Sequence, residues 1–286
     1  MRDTLSTVVE NRDLGHGIYL LRLRDPELLQ EVVEPGTFVM LATATGLAPL
    51  VRRPFSVQRV EGDIYDILYR VVGEGTALMA AAQPGQQMRS LGPLGTHFTA
   101  PQPGETAILL GGGVGIPPMV TLADSLEAAG HTDWHAFVGA GSAAEQGCWV
   151  GFDERYGTGS GSHRVHRATM DGSLGFHGHV VAAWQSWRAE HPLPAEQFRL
   201  YGCGPLVMLQ AIARVAADEK LRCQISVETV MGCGVGICMG CVIENADARD
   251  PELARTMSPY DRWLLVCRKG PVFDADAVIL EGGSLH

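Results

Sequence analysis

Three cysteines lie within nine residues, in the run Met231-Gly232-Cys233-Gly234-Val235-Gly236-Ile237-Cys238-Met239-Gly240-Cys241. The spacing is C-x4-C-x2-C, that of plant-type [2Fe–2S] proteins, which a distant fourth cysteine completes. Three thiolates must converge on one small rhomb from a single loop. The interleaved Gly232, Gly234, Gly236 and Gly240 let the backbone fold tightly and aim N–H groups at cluster sulfur. Cys267 is the sole cysteine downstream, so it is the fourth ligand by elimination. A zinc site normally uses two C-x2-C-like pairs, and one is present here. Zinc and inert thiols therefore stand as the weaker alternatives. The chain has seven cysteines in all, an odd number that makes a poor disulfide framework.

A second run could cradle phosphate. Gly111-Gly112-Gly113-Val114-Gly115-Ile116-Pro117-Pro118 follows an apolar strand and opens a helix. Backbone N–H groups and a helix N-terminus would then face a pyrophosphate. The run does not match G-x-G-x-x-G, and a plain structural turn is the competing reading. A later strand end carries Tyr201-Gly202-Cys203-Gly204-Pro205. Ligands of open α/β sheets lie beyond the carboxyl ends of strands, although Cys203 could equally be a small buried hydrophobe. Further upstream stand Arg53-Pro54-Phe55-Ser56, Leu68-Tyr69-Arg70 and Gly73-Glu74-Gly75-Thr76. Taken singly, each arginine reads as a solvated surface charge. Three such motifs ahead of a glycine-rich turn shift the weight toward ligand contact.

The elements that must position these residues fall into three stretches. Residues 1–101 read as short β-strands, among them Ile18–Leu23, Phe38–Ala42 and Ile64–Val72, at the spacing of a small barrel. A helix is expected over Thr76–Ala82. Pro101-Gln102-Pro103-Gly104 marks a linker. Strands and helices then alternate through residues 102–221, which implies a parallel sheet. Residues 222–286 form a third unit rich in glycine and cysteine. Gly157–Ser162 is expected to be a short flexible loop. The fold class is thus α+β multidomain: an antiparallel barrel, a parallel α/β domain and a small cluster domain.

Composition agrees. Glycine supplies 35 of 286 residues, well above the average of about 7%. That fits many tight turns and close backbone approaches. The net charge of −10 argues against nucleic acid or an anionic membrane as the main partner. The start, Met1-Arg2-Asp3-Thr4, lacks an apolar signal core. The longest apolar stretch, Thr106–Ala123, is broken by glycines and prolines, so no membrane segment is expected. A cytoplasmic location follows as an expectation.

The order R-P-F-S, G-E-G-T, G-G-G-V-G-I-P-P and Y-G-C-G-P resembles the ferredoxin–NADP reductase superfamily. The cysteine run, with Cys267-Arg268-Lys269-Gly270-Pro271-Val272-Phe273 beyond it, is similar to the electron-transfer subunits of class 1B dihydroorotate dehydrogenases. The resemblance covers nearly the whole chain. It implies an FAD-binding barrel, an NAD-binding α/β domain and a [2Fe–2S] domain. It implies that Arg53, Pro54, Phe55 and Ser56 face the flavin and its ribityl–phosphate chain. Leu68, Tyr69 and Arg70 would form a second FAD segment, and Gly75 and Thr76 would bind the FAD pyrophosphate. Gly112, Gly113, Gly115, Cys203, Gly204 and Pro205 would border NAD, with Asp171–Gly175 near the nicotinamide. The implied partner is an FMN-containing dihydroorotate dehydrogenase catalytic subunit, in a heterotetramer of two copies of each.

Two features depart from that pattern. The gap between Cys241 and Cys267 is long, with an insertion around Asn245–Tyr260. The segment Gly139–Glu145 also lacks basic residues for a 2′-phosphate, which favours NAD over NADP. A related reductase subunit of a hydrogenase-type or ferredoxin-linked complex, and a non-enzymatic iron–sulfur sensor, are the other readings.

Overall fold

The computed structural model describes residues 1–43, 49–157 and 163–280. The first sheet contains β1 (Arg2–Asp13), β2 (Ile18–Arg24), β3 (Phe38–Leu41), β4 (Arg53–Ser56), β5 (Arg59–Glu61), β6 (Ile64–Arg70) and, after helix α1 (Glu74–Ala80), β7 (Gln87–Leu94). Its order is β4-β3-β7-β1-β2-β6-β5, and all the pairings are antiparallel. The sheet curls until β4 meets β6, where the Phe55 and Tyr69 rings stand edge to face at 6.1 Å. Burial alternates along β1 with Thr4, Ser6 and Val8 inward. The two hydroxyls are satisfied inside, both donating to Asp25 Oδ2 at 2.6 and 2.7 Å. A strand that turns hydroxyls to the core carries no apolar alternation, and for that reason β1 is hidden in the sequence.

The second sheet is built from β8 (Thr106–Gly112), α2 (Pro117–Ala128), β9 (Trp134–Ala140), α3 (Val150–Tyr156), β10 (Val165–Thr169), β11 (Phe176–His177), α4 (Val180–Glu190), β12 (Phe198–Cys203), α5 (Leu206–Glu219) and β13 (Arg222–Ser226). All seven residues of β8 are buried, as expected of a central parallel strand covered on both faces. Proline occupies the first positions of α2, where a missing N–H leaves no acceptor unpaired. The strand order is β11-β10-β9-β8-β12-β13 with one further strand at the edge. The chain runs outward from β8 through β9 and β10, then returns to place β12 on the other side of β8. Direction therefore reverses between β8 and β12.

The last stretch contributes β14 (Val242–Asn245), α6 (Leu253–Thr256), β15 (Trp263–Leu265), α7 (Val266–Lys269), β16 (Val272–Asp274) and β17 (Val278–Ile279). β14, β15 and β17 form a small sheet of their own. β16 pairs antiparallel with β13 and is the edge strand of the second sheet. The third unit is thus sewn into the second. It is also tied to the barrel, since Thr96 N–H donates to Gly270 O at 2.6 Å and Thr96 Oγ1 donates to Val272 O at 2.8 Å. The Asn245–Tyr260 insertion holds a short turn and α6 and lies on the outside, with Tyr260 84% exposed. Beyond Gly157, the loop expected at Gly157–Ser162 lies outside the described residues. Among the described residues no helix is long and apolar enough to cross a membrane.

Candidate flavin, dinucleotide and cluster sites

The cysteine loop is organised by its own backbone. Cys233 Sγ accepts N–H groups from Val235, Ile237 and Cys238 at 3.5, 3.3 and 3.4 Å. Burial raises the Cys233 thiol, but these donors outweigh it and bring it down to about 6. Gly234 and Gly236 hold positive φ of 71° and 83°, the left-handed region that glycine enters without cost. The fourth candidate arrives on α7: Cys267 N–H donates to Cys241 Sγ at 3.4 Å, and Val266 N–H to Cys241 O at 2.8 Å. Burial and the neighbouring Cys241 push the Cys267 thiol up to about 12.

Cys233 accepts from the backbone of Cys238, Cys267 N–H donates to Cys241 Sγ, and the charge of Cys233 is felt at Cys267, so the loop and α7 face each other. No set of three or more His, Cys, Asp or Glu among the described residues closes on a single metal ion. Four thiolates suit a two-iron rhomb, and N–H groups aimed at sulfur suit its negative charge. The long insertion does not disturb this, because β14 and β15 pair in register and return the chain to Cys267.

The flavin candidates meet at the start of α1. Strand β4 delivers Arg53, whose partner across β3 is Leu41, while Pro54 pairs with Met40. The Arg53 guanidinium lies over Gly75, where an added Cβ would stand 3.4 Å from Nε and 3.2 Å from Thr43 Oγ1. Arg53 also donates to Val51 O. Thr43 was not singled out from sequence. It is 5% exposed, and among the described residues its hydroxyl has no hydrogen-bond partner. A guanidinium, an unpartnered buried hydroxyl and the first N–H groups of a helix, grouped around a residue without a side chain, fit a phosphate. The Thr76 hydroxyl is otherwise engaged: it accepts from Val72 N–H and donates to Gly73 O, closing the turn. Its backbone N–H is the group left to a ligand.

The second flavin segment divides. Tyr69 is buried, stacks on Tyr19 at 5.5 Å, and donates to Asn11 Oδ1 at 3.1 Å. Leu68 points the other way, into the core shared with the α/β sheet. Arg70 reaches across to the α/β part and pairs with Glu145 at 3.1 Å.

The dinucleotide candidates converge at the β8/β12 reversal. A Cβ on Gly115 would lie 2.6 Å from Gly204 Cα, and one on Gly112 would lie 2.7 Å from Met208 Sδ and 3.1 Å from Pro205 Cδ. The two turns thus pack back to back with no room for side chains. A crevice beyond the carboxyl ends of strands, at such a switch point, is where doubly wound sheets bind ligands. Cys203 is buried in the core beside Ser226, and burial pushes its thiol up to about 12, so it is neutral at pH 7. On the rim, Asp171 Oδ1 accepts from Ser173, whose hydroxyl in turn accepts Ala143 N–H at 2.7 Å.

A curled antiparallel sheet followed by a parallel sheet with a glycine-built switch point defines the ferredoxin reductase fold class. One solved member, from a study of an NADH-dependent reduced ferredoxin–NADP oxidoreductase, superposes with a TM-score of 0.76 at 20% identity, over 97% of this chain and 90% of that one. Residues 228–279 match the iron–sulfur cluster binding domain of dihydroorotate dehydrogenase B. The electron transfer subunit of dihydroorotate dehydrogenase B (NAD(+)) from Lysinibacillus sphaericus (strain C3-41) is 33% identical over 98% of this chain and 100% of its own length. Its counterpart in Bacillus cereus (strain G9842) is 34% identical over 96% and 97%. The chain belongs to the family of dihydroorotate dehydrogenase B electron transfer subunits.

Proposed function

We propose that this chain carries electrons between an FMN-containing, dihydroorotate-oxidising catalytic subunit and NAD⁺, in pyrimidine synthesis. The observation that carries this reading is the seating of the cysteine loop. A Cβ on Gly234 would stand 2.6 Å from Met40 Cγ and 3.3 Å from Leu94 Cδ1, so the loop rests on β3 and β7. β3 is hydrogen-bonded to β4, which carries the flavin motif. One strand separates the two cofactor motifs.

Residues 1–101 would hold FAD, with Arg53, Thr43 and the N–H groups at Gly75–Thr76 on its phosphates and β4 and Leu68–Arg70 along it. Residues 102–221 would hold NAD on Gly112, Gly113, Gly115 and Cys203–Pro205. Within residues 222–286, Cys233, Cys238, Cys241 and Cys267 would hold [2Fe–2S]. Flavin chemistry joins one-electron and two-electron steps, a cluster carries one electron, and nicotinamide takes two as hydride. No side chain of this chain needs to act as a general base. Its residues bind and orient.

The partner would dock beside the cysteine loop, where Ile237 is 81% exposed, Val230 62% and Met239 54%. Apolar side chains grouped on a surface mark interaction sites. Two copies of each subunit would form the complex.

The chain alone should oxidise NADH with artificial acceptors and should not oxidise dihydroorotate. Adding the catalytic subunit should create NAD⁺-linked orotate formation. Cys238→Ser should stop that coupled reaction and spare most NADH–dye activity. A coupled rate sustained without the cluster would overturn the reading.

A further inference from the structure

A cavity of about 670 Å³ opens at the amino ends of β12 and β13. Arg199 is the second residue of β12, and Arg222 is the first of β13. The dinucleotide crevice lies at the other end of the sheet, past Cys203, about 13 Å further along β12 at the usual rise of a strand. Three stretches of chain form the walls: Thr99 after the barrel, the end of α5 with the start of β13, and the turn Asp274–Asp276 between β16 and β17. The volume is that of a site for a small molecule. Arg199 is 8% exposed in this wall. Its Nη1 donates to Ala100 O at 3.2 Å, its Nη2 donates to Thr99 Oγ1, and the Tyr201 ring covers its guanidinium at 5.4 Å. Among the described residues Nε has no partner, and no carboxylate pairs with the charge. A cation buried to this depth calls for an anion.

The neighbouring charges sort by wall. Lys220 ends α5 at a φ of 55°, and its ammonium makes no ion pair among the described residues. Arg222 is already neutralised by Glu105 at 2.6 Å. Across the β13–β16 pairing, Asp274 Oδ1 accepts Gln224 Nε2 at 3.1 Å, and Asp276 makes no ion pair among the described residues. Cys223 lies between the two signs: burial, then Asp276 and Asp274, push its thiol up to about 12 against the pull of Arg199. The thiol is neutral and adds no charge. Ala213, Ala216 and Ala217 supply an apolar wall. A simple anion would meet the two carboxylates, and a simple cation would meet Arg199 and Lys220. An anion that also carries hydroxyl donors satisfies both walls, since a carboxylate only accepts and a guanidinium only donates. We infer that this cavity binds a sugar phosphate, free or as a nucleotide, with Arg199 and Lys220 on the phosphate and Asp274 and Asp276 on the sugar hydroxyls. Its occupant touches the linker, the α/β sheet and the third unit together, and so braces all three. The inference does not depend on what fills the dinucleotide crevice.

The test is calorimetric titration of the full chain, loaded with FAD and cluster, in saturating NAD⁺. The probes are ribose 5-phosphate and uridine 5′-monophosphate, whose base is absent from NAD, with inorganic phosphate as the fragment. At least one ester should bind once per chain with a Kd below about 1 mM, and inorganic phosphate at least tenfold more weakly. Lys220→Gln should weaken ester binding at least tenfold, because it removes a charge-assisted contact. Asp276→Asn should weaken the ester several-fold and leave inorganic phosphate as tight or tighter. Both positions are exposed, so both variants should melt as wild type does without ligand and keep NADH–dye activity. Tighter binding of the nucleotide places its base on the alanine wall and makes a nucleotide the occupant. Equal or tighter binding of ribose 5-phosphate makes the occupant a free sugar phosphate. Binding of neither ester at millimolar concentration, or binding that Lys220→Gln and Asp276→Asn both leave unchanged, overturns the inference.

Discussion

The cysteine loop and the corner around Gly75 each gather polar groups about one point, but they are assembled from opposite kinds of sequence. The loop draws three candidate ligands and three sulfur-directed N–H groups from residues 233–241. The corner draws on Thr43, Arg53 and Gly75, from three separate segments joined by the curl of one sheet. The loop's donors bond sulfur directly and lower the Cys233 thiol. At the corner, the buried Thr43 hydroxyl has no partner among the described residues. The first region is organised locally, and the second is brought together by long-range packing. Damage to the loop should therefore abolish a cofactor outright, whereas damage to the corner should weaken one by degrees.

The largest effect is expected at Cys267. It is buried on α7, and its N–H donates to Cys241 Sγ at 3.4 Å. Cys267→Ser should lose the cluster, or hold it so weakly that iron and sulfide analysis finds well under one [2Fe–2S] per chain. Full retention of an unchanged cluster would end the fourth-ligand assignment.

Next comes the seat of the loop. Gly234→Ala puts a side chain at a φ of 71° and against Met40. The left-handed conformation alone costs about 1–2 kcal/mol for a non-glycine residue. Assembled cluster should persist at reduced yield, with the coupled orotate-forming rate down several-fold and NADH–dye activity changed less. Equal loss of both activities would mean that the loop is not seated for transfer toward the flavin strand.

At the corner, Arg53→Ala should weaken FAD binding about 10- to 100-fold, because hydrogen bonds to charged groups contribute roughly 1.5–3 kcal/mol. Arg53→Lys should restore only part of this, since an ammonium cannot donate two parallel bonds to phosphate. Flavin titration of the apoprotein measures both, and normal affinity in the alanine variant would remove Arg53 from the site.

The same contrast governs what could be read from residues alone. The cysteine spacing, the glycine turn before α2 and the alternation of residues 102–221 are local signals, and the structure reproduces them. The expected alternation runs from β8 (Thr106–Gly112) to α5 (Leu206–Glu219). β1 escaped because its inward residues are hydroxyls bonded to Asp25. β16 escaped because three residues joining a distant sheet edge carry no period of their own. Arg70 was legible as a chemically important arginine, but its partner Glu145 lies 75 residues away. Thr43 carried no signal, since a threonine beside a strand end is ordinary until the packing isolates its hydroxyl.

That hydroxyl gives the smallest effect and the sharpest sign. A buried polar group without a partner costs about 1–3 kcal/mol, and the Thr43 hydroxyl has none among the described residues. Valine keeps the branched shape and deletes the oxygen. Thr43→Val should therefore raise the melting temperature of the flavin-free protein, by roughly 2 °C or more for a gain near 1 kcal/mol. If the hydroxyl donates to a flavin phosphate as proposed, the same change removes a hydrogen bond to a charged group, roughly 1.5 kcal/mol at the low end of its range. FAD affinity should fall roughly tenfold. Stability and affinity thus move in opposite directions, which a purely structural threonine would not produce. A melting scan with and without FAD reads both from one protein. If the variant is destabilised without flavin, or binds FAD as tightly as wild type, Thr43 belongs to the packing of β3 and not to the site.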